Sequence, residues 1–217
     1  LTTPAAVYGR ILNFIEARNP DVVGLIEADS GSRRTRGCNQ VTQLAERLGV
    51  SHTGANKYAP DSWLGHLPYF RNQFNALIGE GVIAEDGGHL FFSCGTKKLI
   101  VTAQCGGIRF VLVHLALKKS VRRTQLEELA EMVANDGPTV LAGDFNTFGG
   151  AEELAGLLRE VGWRSANDAH QPTYPAWEPR LELDYILYSP GLRLVNFWRP
   201  DVQFSDHLPL VADFELE

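Results

Sequence analysis

The chain has 217 residues, 44% of them apolar and 21% charged, and its 26 acidic against 20 basic side chains leave a formal net charge of −6. A chain of this length buries roughly 70% of the surface it exposes when unfolded and needs no disulfide staples, so a single domain over residues 1–217 is expected. Its apolar runs fall far short of the ~20 residues a membrane-spanning helix requires. Three cysteines, Cys38, Cys94 and Cys105, without C-x-x-C spacing argue against a disulfide framework or a zinc knuckle and read as structural thiols. The acidic balance speaks against retention on nucleic acid by bulk charge, although not against a local basic patch.

Taken in chain order, Pro4 and the recurrence of Val7, Ile11, Phe14 and Ile15 predict a helix that Asn19-Pro20 stops. Val22 to Ile26 reads as a strand buried on both faces and ends at Glu27. Val41, Leu44, Ala45 and Leu48 share one helical face ahead of Gly49, a C-terminal cap. From Ala76 to His114 the pattern predicts an antiparallel meander of strands at Ala76–Ile83, Leu90–Ser93, Leu99–Ala103 and Ile108–His114, separated by Gly-containing turns. Ser120 is placed to cap a helix whose buried stripe is Leu126, Leu129, Ala130 and Val133, with Gly137-Pro138 as its end. A strand at Thr139–Ala142, a helix carrying Leu154, Leu157, Leu158 and Val161, and strands near Tyr185–Tyr188, Arg193–Trp198 and Leu208–Phe214 complete one α/β domain without repeats.

Several segments resist an explanation by packing alone. In Gly143-Asp144-Phe145-Asn146, Asp144 and Asn146 sit two apart, so in an extended backbone they project together; the same four residues also read as an ordinary Asp/Asn turn. Ser205-Asp206-His207-Leu208-Pro209 sets a hard oxygen ligand beside a titrating imidazole. Asp184 lies in the otherwise apolar run Leu183–Leu187, where a carboxylate requires a partner, and an imidazole suits it. His114 closes an apolar strand, a place that also suits a hydrogen-bonded core histidine. Together with Glu27, these residues bring acid, amide and imidazole groups from five strand ends, with no nucleophile-elbow serine. Such oxygen-rich donors suit Mg²⁺ or Mn²⁺ rather than Zn²⁺, and the set matches the requirements of phosphate hydrolysis.

In these segments, PDVVGLIEAD, FVLVHLALKK, VLAGDFNTF, LELDYIL and SDHLPLVADF, the sequence resembles the endonuclease/exonuclease/phosphatase superfamily, in the family's order and over nearly the whole chain. The resemblance implies a DNase I-like four-layer sandwich: two mixed, mostly antiparallel sheets with helices on the outer faces and the active site at one edge between the sheets. It also implies roles. Glu27 corresponds to a metal-binding glutamate and Asp206 to a carboxylate that is sometimes a second metal ligand. Asp144 and Asn146 correspond to the pair that holds the attacking water, His207 to the catalytic histidine, Asp184 to the residue that fixes its ring, and His114 to a histidine that contacts a phosphoryl oxygen. The implied cofactor is Mg²⁺, with Mn²⁺ as an alternative. Family members begin with a strand carrying an Asn near the metal, and here that strand is expected to be missing or to lie upstream of Leu1.

Lys118, Lys119, Arg122 and Arg123 follow His114, and Arg33, Arg34 and Arg36 follow Glu27. They read either as solvated surface or as a rim gripping phosphate, with Lys118 and Arg122 as candidate substrate contacts. Asn75, in a strand resembling the family's GNAIL, is a further candidate. Trp63, Tyr69, Phe70, Trp177 and Trp198 read as packing lids or as stacking platforms. The expected partner is a phosphoester, whether a nucleic acid, a phospholipid head group or a sugar phosphate, acted on by a monomer with no stable protein partner. A catalytically inactive module binding phosphate or a lipid head group is the alternative. Cytoplasm is the default location, with an upstream signal or membrane anchor left open.

Overall fold

The structure, a computed structural model, describes residues 5–58, 71–134 and 137–217. Pro4, Trp63, Tyr69 and Phe70 lie outside them. Helix α1 (Ala5–Glu16) and helix α2 (Gln40–Leu48) flank strand β1 (Val22–Asp29), and strands β2 (Ser51–Asn56) and β3 (Gln73–Gly79) follow. The three strands form one antiparallel sheet in the order β1-β3-β2. Helix α2 is closed at both ends by its own sequence. The Asn39 side chain accepts the backbone N–H groups of Val41 and Thr42, and Gly49 takes the left-handed φ of 70° that a side chain would disfavour.

Strands β4 (Ile83–Phe91), β5 (Leu99–Cys105), β6 (Ile108–His114), β7 (Thr139–Asp144), β8 (Arg164–Ser165) and β9 (Asp184–Tyr188) make a six-stranded sheet in the order β4-β5-β6-β7-β9-β8. Helix α3 (Lys119–Val133) forms the crossover between the parallel neighbours β6 and β7, and helix α4 (Ala155–Val161) follows β7. Strands β10 (Leu192–Trp198) and β11 (Val211–Leu216) pair as an antiparallel ribbon.

Alternation along the strands sorts the side chains into layers. From β6, Val111 and Val113 meet Leu126, Leu129 and Val133 of α3 and Leu157 of α4. From the opposite face, Leu112 packs with Val22, Ile26 and Leu77, and Phe110 bridges toward Phe197, Ala212 and Phe214 of the ribbon. Tyr8, Leu12, Ile15, Val41 and Leu44 cover the far side of the three-stranded sheet. The layers are therefore α1 and α2, then the three-stranded sheet and the ribbon, then the six-stranded sheet, then α3 and α4, the expected sandwich.

Three local expectations require correction. The meander comprises only β4, β5 and β6, whereas the strand around Ala76 pairs with β1 and β2 in the other sheet. The last strand begins at Val211 rather than Leu208, which leaves Asp206 and His207 in the preceding loop. Helix α3 starts two residues earlier than a Ser120 cap would allow; its cap position is Lys118, whose side chain makes no capping bond.

A fourth correction concerns Arg122, expected on a phosphate-gripping rim. It is 1% exposed, and all its donors are engaged within the protein: Nε and Nη2 on the Glu153 carboxylate at 2.7–3.0 Å, and Nη1 on the Ala116 and Leu117 carbonyls at 2.9 and 2.8 Å. The guanidinium ties α3 to the residues after β7, with a planar fork matched to a carboxylate. Replacing it with methionine strands Glu153 in the interior. The Arg122→Met variant is expected to lose about 3–5 kcal/mol of stability, read as a lower midpoint of urea unfolding with an unchanged slope.

Candidate active site

The site begins with strand register. His114 of β6 pairs with Asp144 of β7, and Asp144 pairs with Asp184 of β9, so three ionisable residues form one rung across the end of the six-stranded sheet. By alternation they share the inter-sheet face with Phe110, Leu112, Val140 and Ile186. The strands approach closely just before the rung. A Cβ at Gly143, whose φ is 149°, would lie 1.9 Å from the Val113 carbonyl oxygen, so the residue preceding Asp144 has no room for a side chain.

Glu27 arrives from the opposite sheet through a bulge. Leu25 pairs with Ala76 and Ala28 with Phe74, so Ile26 and Glu27 together oppose Asn75 alone, and Glu27 adopts φ 57°. Without the extra residue, Glu27 would continue the Val23–Leu25 face toward the helices. The bulge turns it toward the six-stranded sheet, where its Oε1 lies 3.5 Å from His114 Nδ1. Asn75, expected as a substrate contact, is fully buried instead, and its Oδ1 accepts the Glu27 backbone N–H at 3.0 Å. Asn75 thus holds the bulge through Oδ1, while its buried Nδ2 has no hydrogen-bond partner among the described residues.

Around the rung, His114 Nε2 is 3.2 Å from Asp144 Oδ2 and also touches Lys97 Nζ. Nδ1 of His114 is buried with no hydrogen-bond partner among the described residues. Burial, aided by the Lys97 charge, holds this imidazole below its ordinary pKa despite Asp144, so it is neutral at pH 7. Asp144 Oδ1 accepts the Asn146 backbone N–H at 2.9 Å, and Asn146 Nδ2 donates to the Leu115 carbonyl at 2.9 Å. Burial alone would raise the Asp144 pKa, but the His114 hydrogen bond and the charges of His207 and Lys97 outweigh it and hold the carboxyl below the usual range.

His207 reaches the rung from the loop before β11. Its Nδ1 lies 2.8 Å from Asp184 Oδ2, and its ring packs on Tyr174 with centroids 4.9 Å apart. Thr173 braces both partners: its Oγ1 accepts the Asp184 N–H at 3.3 Å, and its carbonyl accepts the Leu208 N–H at 2.9 Å. Desolvation would lower the His207 pKa, yet the Asp184 hydrogen bond and the charges of Asp184, Asp144 and Asp206 push it up to about 9. Burial and the like charge of Asp144 keep Asp184 above the ordinary carboxylate range even against His207.

One donor atom each from Asp144, Asp184 and His207 lies within 4.8 Å of the other two, a grouping able to hold a metal ion. The carboxylate oxygens are the harder donors of this set. Those of Glu27 and Asp144 lie at opposite nitrogens of the His114 ring, Glu27 3.5 Å from Nδ1 and Asp144 3.2 Å from Nε2, and hard oxygen donors of this kind fit Mg²⁺ or Mn²⁺. Asp206, expected as a metal ligand, lies outside this grouping. Its backbone carbonyl accepts the Ala176 N–H at 2.8 Å, and its carboxylate acts on His207 through charge. Lys118 is exposed at the start of α3, and Trp177 is 63% exposed.

Two lysines that carried no sequence motif complete the site. Lys57, directly after β2 and 4% exposed, places Nζ 2.5 Å from Glu27 Oε1. Lys97, in the loop between β4 and β5, is the residue in contact with His114. No sequence signal marked Lys57, because β2 has few apolar residues, and Lys97 is marked only by its place two residues before β5.

The fold and this rung are those of a phosphoester hydrolase. The Endonuclease/Exonuclease/phosphatase family model matches residues 4–207, and the chain belongs to that family of hydrolytic phosphoesterases. It is similar in structure to the human Nocturnin catalytic domain with bound sulfate (24% identity, TM-score 0.71, covering 98% of this chain and 86% of that one). It is also similar to a family protein from Bacteroides thetaiotaomicron (13%, TM-score 0.76, 98% and 89%) and to a mannosyl-6-phosphatase from the same organism (14%, TM-score 0.70, 97% and 91%). No curated protein matches the chain in sequence. Among the described residues, no helix is long and apolar enough to cross a membrane.

The imidazole geometry carries a direct test. In metal-free protein followed by ¹H–¹⁵N NMR, the His207 ring is expected to titrate near pH 9, staying protonated through neutrality and losing its proton as pH rises. Asp184→Asn should return the midpoint toward the ordinary value of about 6.5.

Proposed function

We propose that the chain hydrolyses a phosphoester with a divalent cation, Mg²⁺ or Mn²⁺, held by Glu27 and Asp144. The cation would neutralise phosphate charge and stabilise the developing oxyanion. The observation that carries the reading is the convergence of donor atoms of Asp144, Asp184 and His207 within 4.8 Å of one another, with His207 Nδ1 2.8 Å from Asp184 Oδ2 and with Glu27 and His114 beside them.

Each residue contributes a definite task. Asp144, with a depressed pKa, is a weak base suited to orienting the attacking water through a charge-assisted hydrogen bond, and Asn146, fixed by two hydrogen bonds, assists it. With Nδ1 on Asp184, His207 has its Nε2 proton to give to the leaving oxygen, and the Asp184 carboxylate stabilises the cation until that transfer. His114, neutral and buried, has a free Nδ1 edge for a phosphoryl oxygen or for Glu27. Water supplies the incoming oxygen, so no covalent enzyme intermediate is required. Asp206 tunes His207 electrostatically, and Lys118 remains a candidate contact at the mouth.

The test is release of p-nitrophenol from its phosphate esters. Activity is expected with Mg²⁺ or Mn²⁺, to disappear in EDTA and to return when the cation is restored. Asp144→Ala and His207→Ala should each lower kcat by about 10²–10⁴ with an unchanged fold by circular dichroism. Equal rates in EDTA or in these variants would refute the mechanism.

A further inference from the structure

The strands that deliver the site run on into turns that expose apolar side chains. Leu117 follows β6 by three residues, Phe148 follows β7 by four, and Leu181 precedes β9 by three. Because β6 and β7 are parallel and β9 is antiparallel to β7, all three turns emerge at the sheet end that carries His114, Asp144 and Asp184. Trp177 stands at the tip of a short hairpin that Leu181 closes against Tyr174, whose carbonyl accepts the Arg180 and Leu181 N–H groups at 2.9 Å. Leu117, Phe148 and Trp177 are 49–63% exposed, and Leu181 is also exposed. A single exposed apolar residue is ordinary surface, but four on adjoining turns around one recess call for a partner.

The turns are fixed to one another. Arg122 Nη1 donates to the Leu117 carbonyl at 2.8 Å, and its ion-pair partner Glu153 accepts the Gly149 N–H at 2.7 Å. Gln125, fully buried on α3, accepts the Ala116 N–H at 2.9 Å and donates to the Cys94 and Lys97 carbonyls at 3.1 and 2.8 Å, which secures the Leu117 turn. Thr147 Oγ1 donates to the Glu182 carbonyl at 3.1 Å, joining the Phe148 turn to the entry of β9. The Ala176 N–H on the Asp206 carbonyl ties the Trp177 hairpin to the loop of His207. Apolar side chains on backbone so anchored have no means of retreating from water.

The chemistry of the rim selects the partner. Lys118 and Lys119 adjoin Leu117, are exposed, and have no carboxylate partner among the described residues. Arg122, Arg123 and Arg180 are paired with Glu153, Glu127 and Glu178, which leaves Glu152 as the unpaired carboxylate of these turns. Two free lysines against one free carboxylate make the rim cationic on a chain of net charge −6. Apolar tips that include a tryptophan, flanked by lysines, match the boundary of a bilayer containing anionic lipid. The tips enter the acyl region, tryptophan suits the head-group level, and the lysines face lipid phosphates. A polynucleotide fits less well, because leucine offers neither a donor to its phosphates nor a flat face to its bases. Asp144 and Asn146 lie buried behind the rim, so a phosphoester has to project into the recess, as a head group does from a bilayer.

We infer that the mouth of the site, through Leu117, Phe148, Trp177 and Leu181 with Lys118 and Lys119, docks on an anionic phospholipid bilayer and takes its phosphoester from a lipid head group there. Water adds across a P–O bond of that head group, the phosphorus keeping the hydroxyl and the leaving oxygen the proton. The docking stands on the surface alone, and the choice of substrate rests on the hydrolase reading above.

Docking is tested by sedimentation of the whole chain with vesicles of phosphatidylcholine, or of phosphatidylcholine and phosphatidylglycerol in equal parts. The wild type is expected to bind the anionic vesicles about tenfold more tightly than the neutral ones. The double variant Leu117→Ser/Phe148→Ser should bind them about tenfold more weakly than the wild type, with circular dichroism and p-nitrophenyl phosphate hydrolysis unchanged. Lys119→Glu should weaken binding to the anionic vesicles by a similar factor. A wild type that does not sediment with the anionic vesicles, or a double variant that binds as tightly, overturns the inference. A preference for single-stranded RNA over these vesicles, lost in the same variant, overturns it in favour of nucleic acid. Brominated acyl chains are expected to quench tryptophan emission, and less so in Trp177→Leu; equal fractional quenching would refute this docking face.

In the substrate arm, vesicles of a total phospholipid extract with Mg²⁺ are expected to release phosphate or a phosphorylated head group, about tenfold more slowly with the double serine variant. Turnover of p-nitrophenyl phosphate without release from the vesicles overturns the substrate assignment. Absence of turnover on both counts against the hydrolase reading, with sedimentation still deciding the docking.

Discussion

Three carboxylates converging in a recess between two sheets repel one another, and much of the surrounding structure serves to hold them there. Each has its own positive or hydrogen-bonding neighbour: Lys57 on Glu27, His207 on Asp184, and Asn146 with His114 on Asp144. Water would screen such charges to about 1 kcal/mol at contact distance, whereas the interior does so far less. The arrangement keeps the charges in place without removing them. It also separates their roles, because the same recess holds Asp144 below its ordinary pKa and His207 above its own.

Backbone geometry brings the charges together, and the two sheets do so differently. On the six-stranded sheet, regular register suffices: a parallel and an antiparallel pairing on either side of β7 align His114, Asp144 and Asp184. On the three-stranded sheet, regular register would have failed, and one inserted residue at positive φ reverses the direction of Glu27. The strand ends therefore act as a pre-organised scaffold, while His207 is supplied by a loop braced through Thr173.

Much of this was legible in the sequence. Apolar spacing marked α1, α2 and the buried stripe of α3, and the run from Ile108 to His114 between a Gly-Gly turn and a helix start fixed β6 exactly as found. The Asp144, Asp184 and His207 cluster followed from carboxylates and imidazole placed where burial would otherwise exclude them. Sheet membership was not legible, because the period-two pattern of β3 is the same whichever sheet receives it. Strand β2, Ser51–Asn56, has few apolar residues to announce it. Arg122 was misread from charge alone, although its spacing of four, seven and eleven residues from Leu126, Leu129 and Val133 places it on the buried stripe. Lys57 and Lys97 were missed because a lone lysine is ordinarily solvated, and only tertiary structure shows one drawn inward.

Gln125 joins parts of the molecule that are remote in sequence: the outer helix α3, the exit of β6 at Ala116 and the loop bearing Lys97 all meet on one amide. Through this splice the helix acts as a lever arm on the recess. A molecule that grips the solvent face of α3 and shifts it by a fraction of an ångström would move an ammonium group relative to His114, changing the electric field at the reacting centre without entering it.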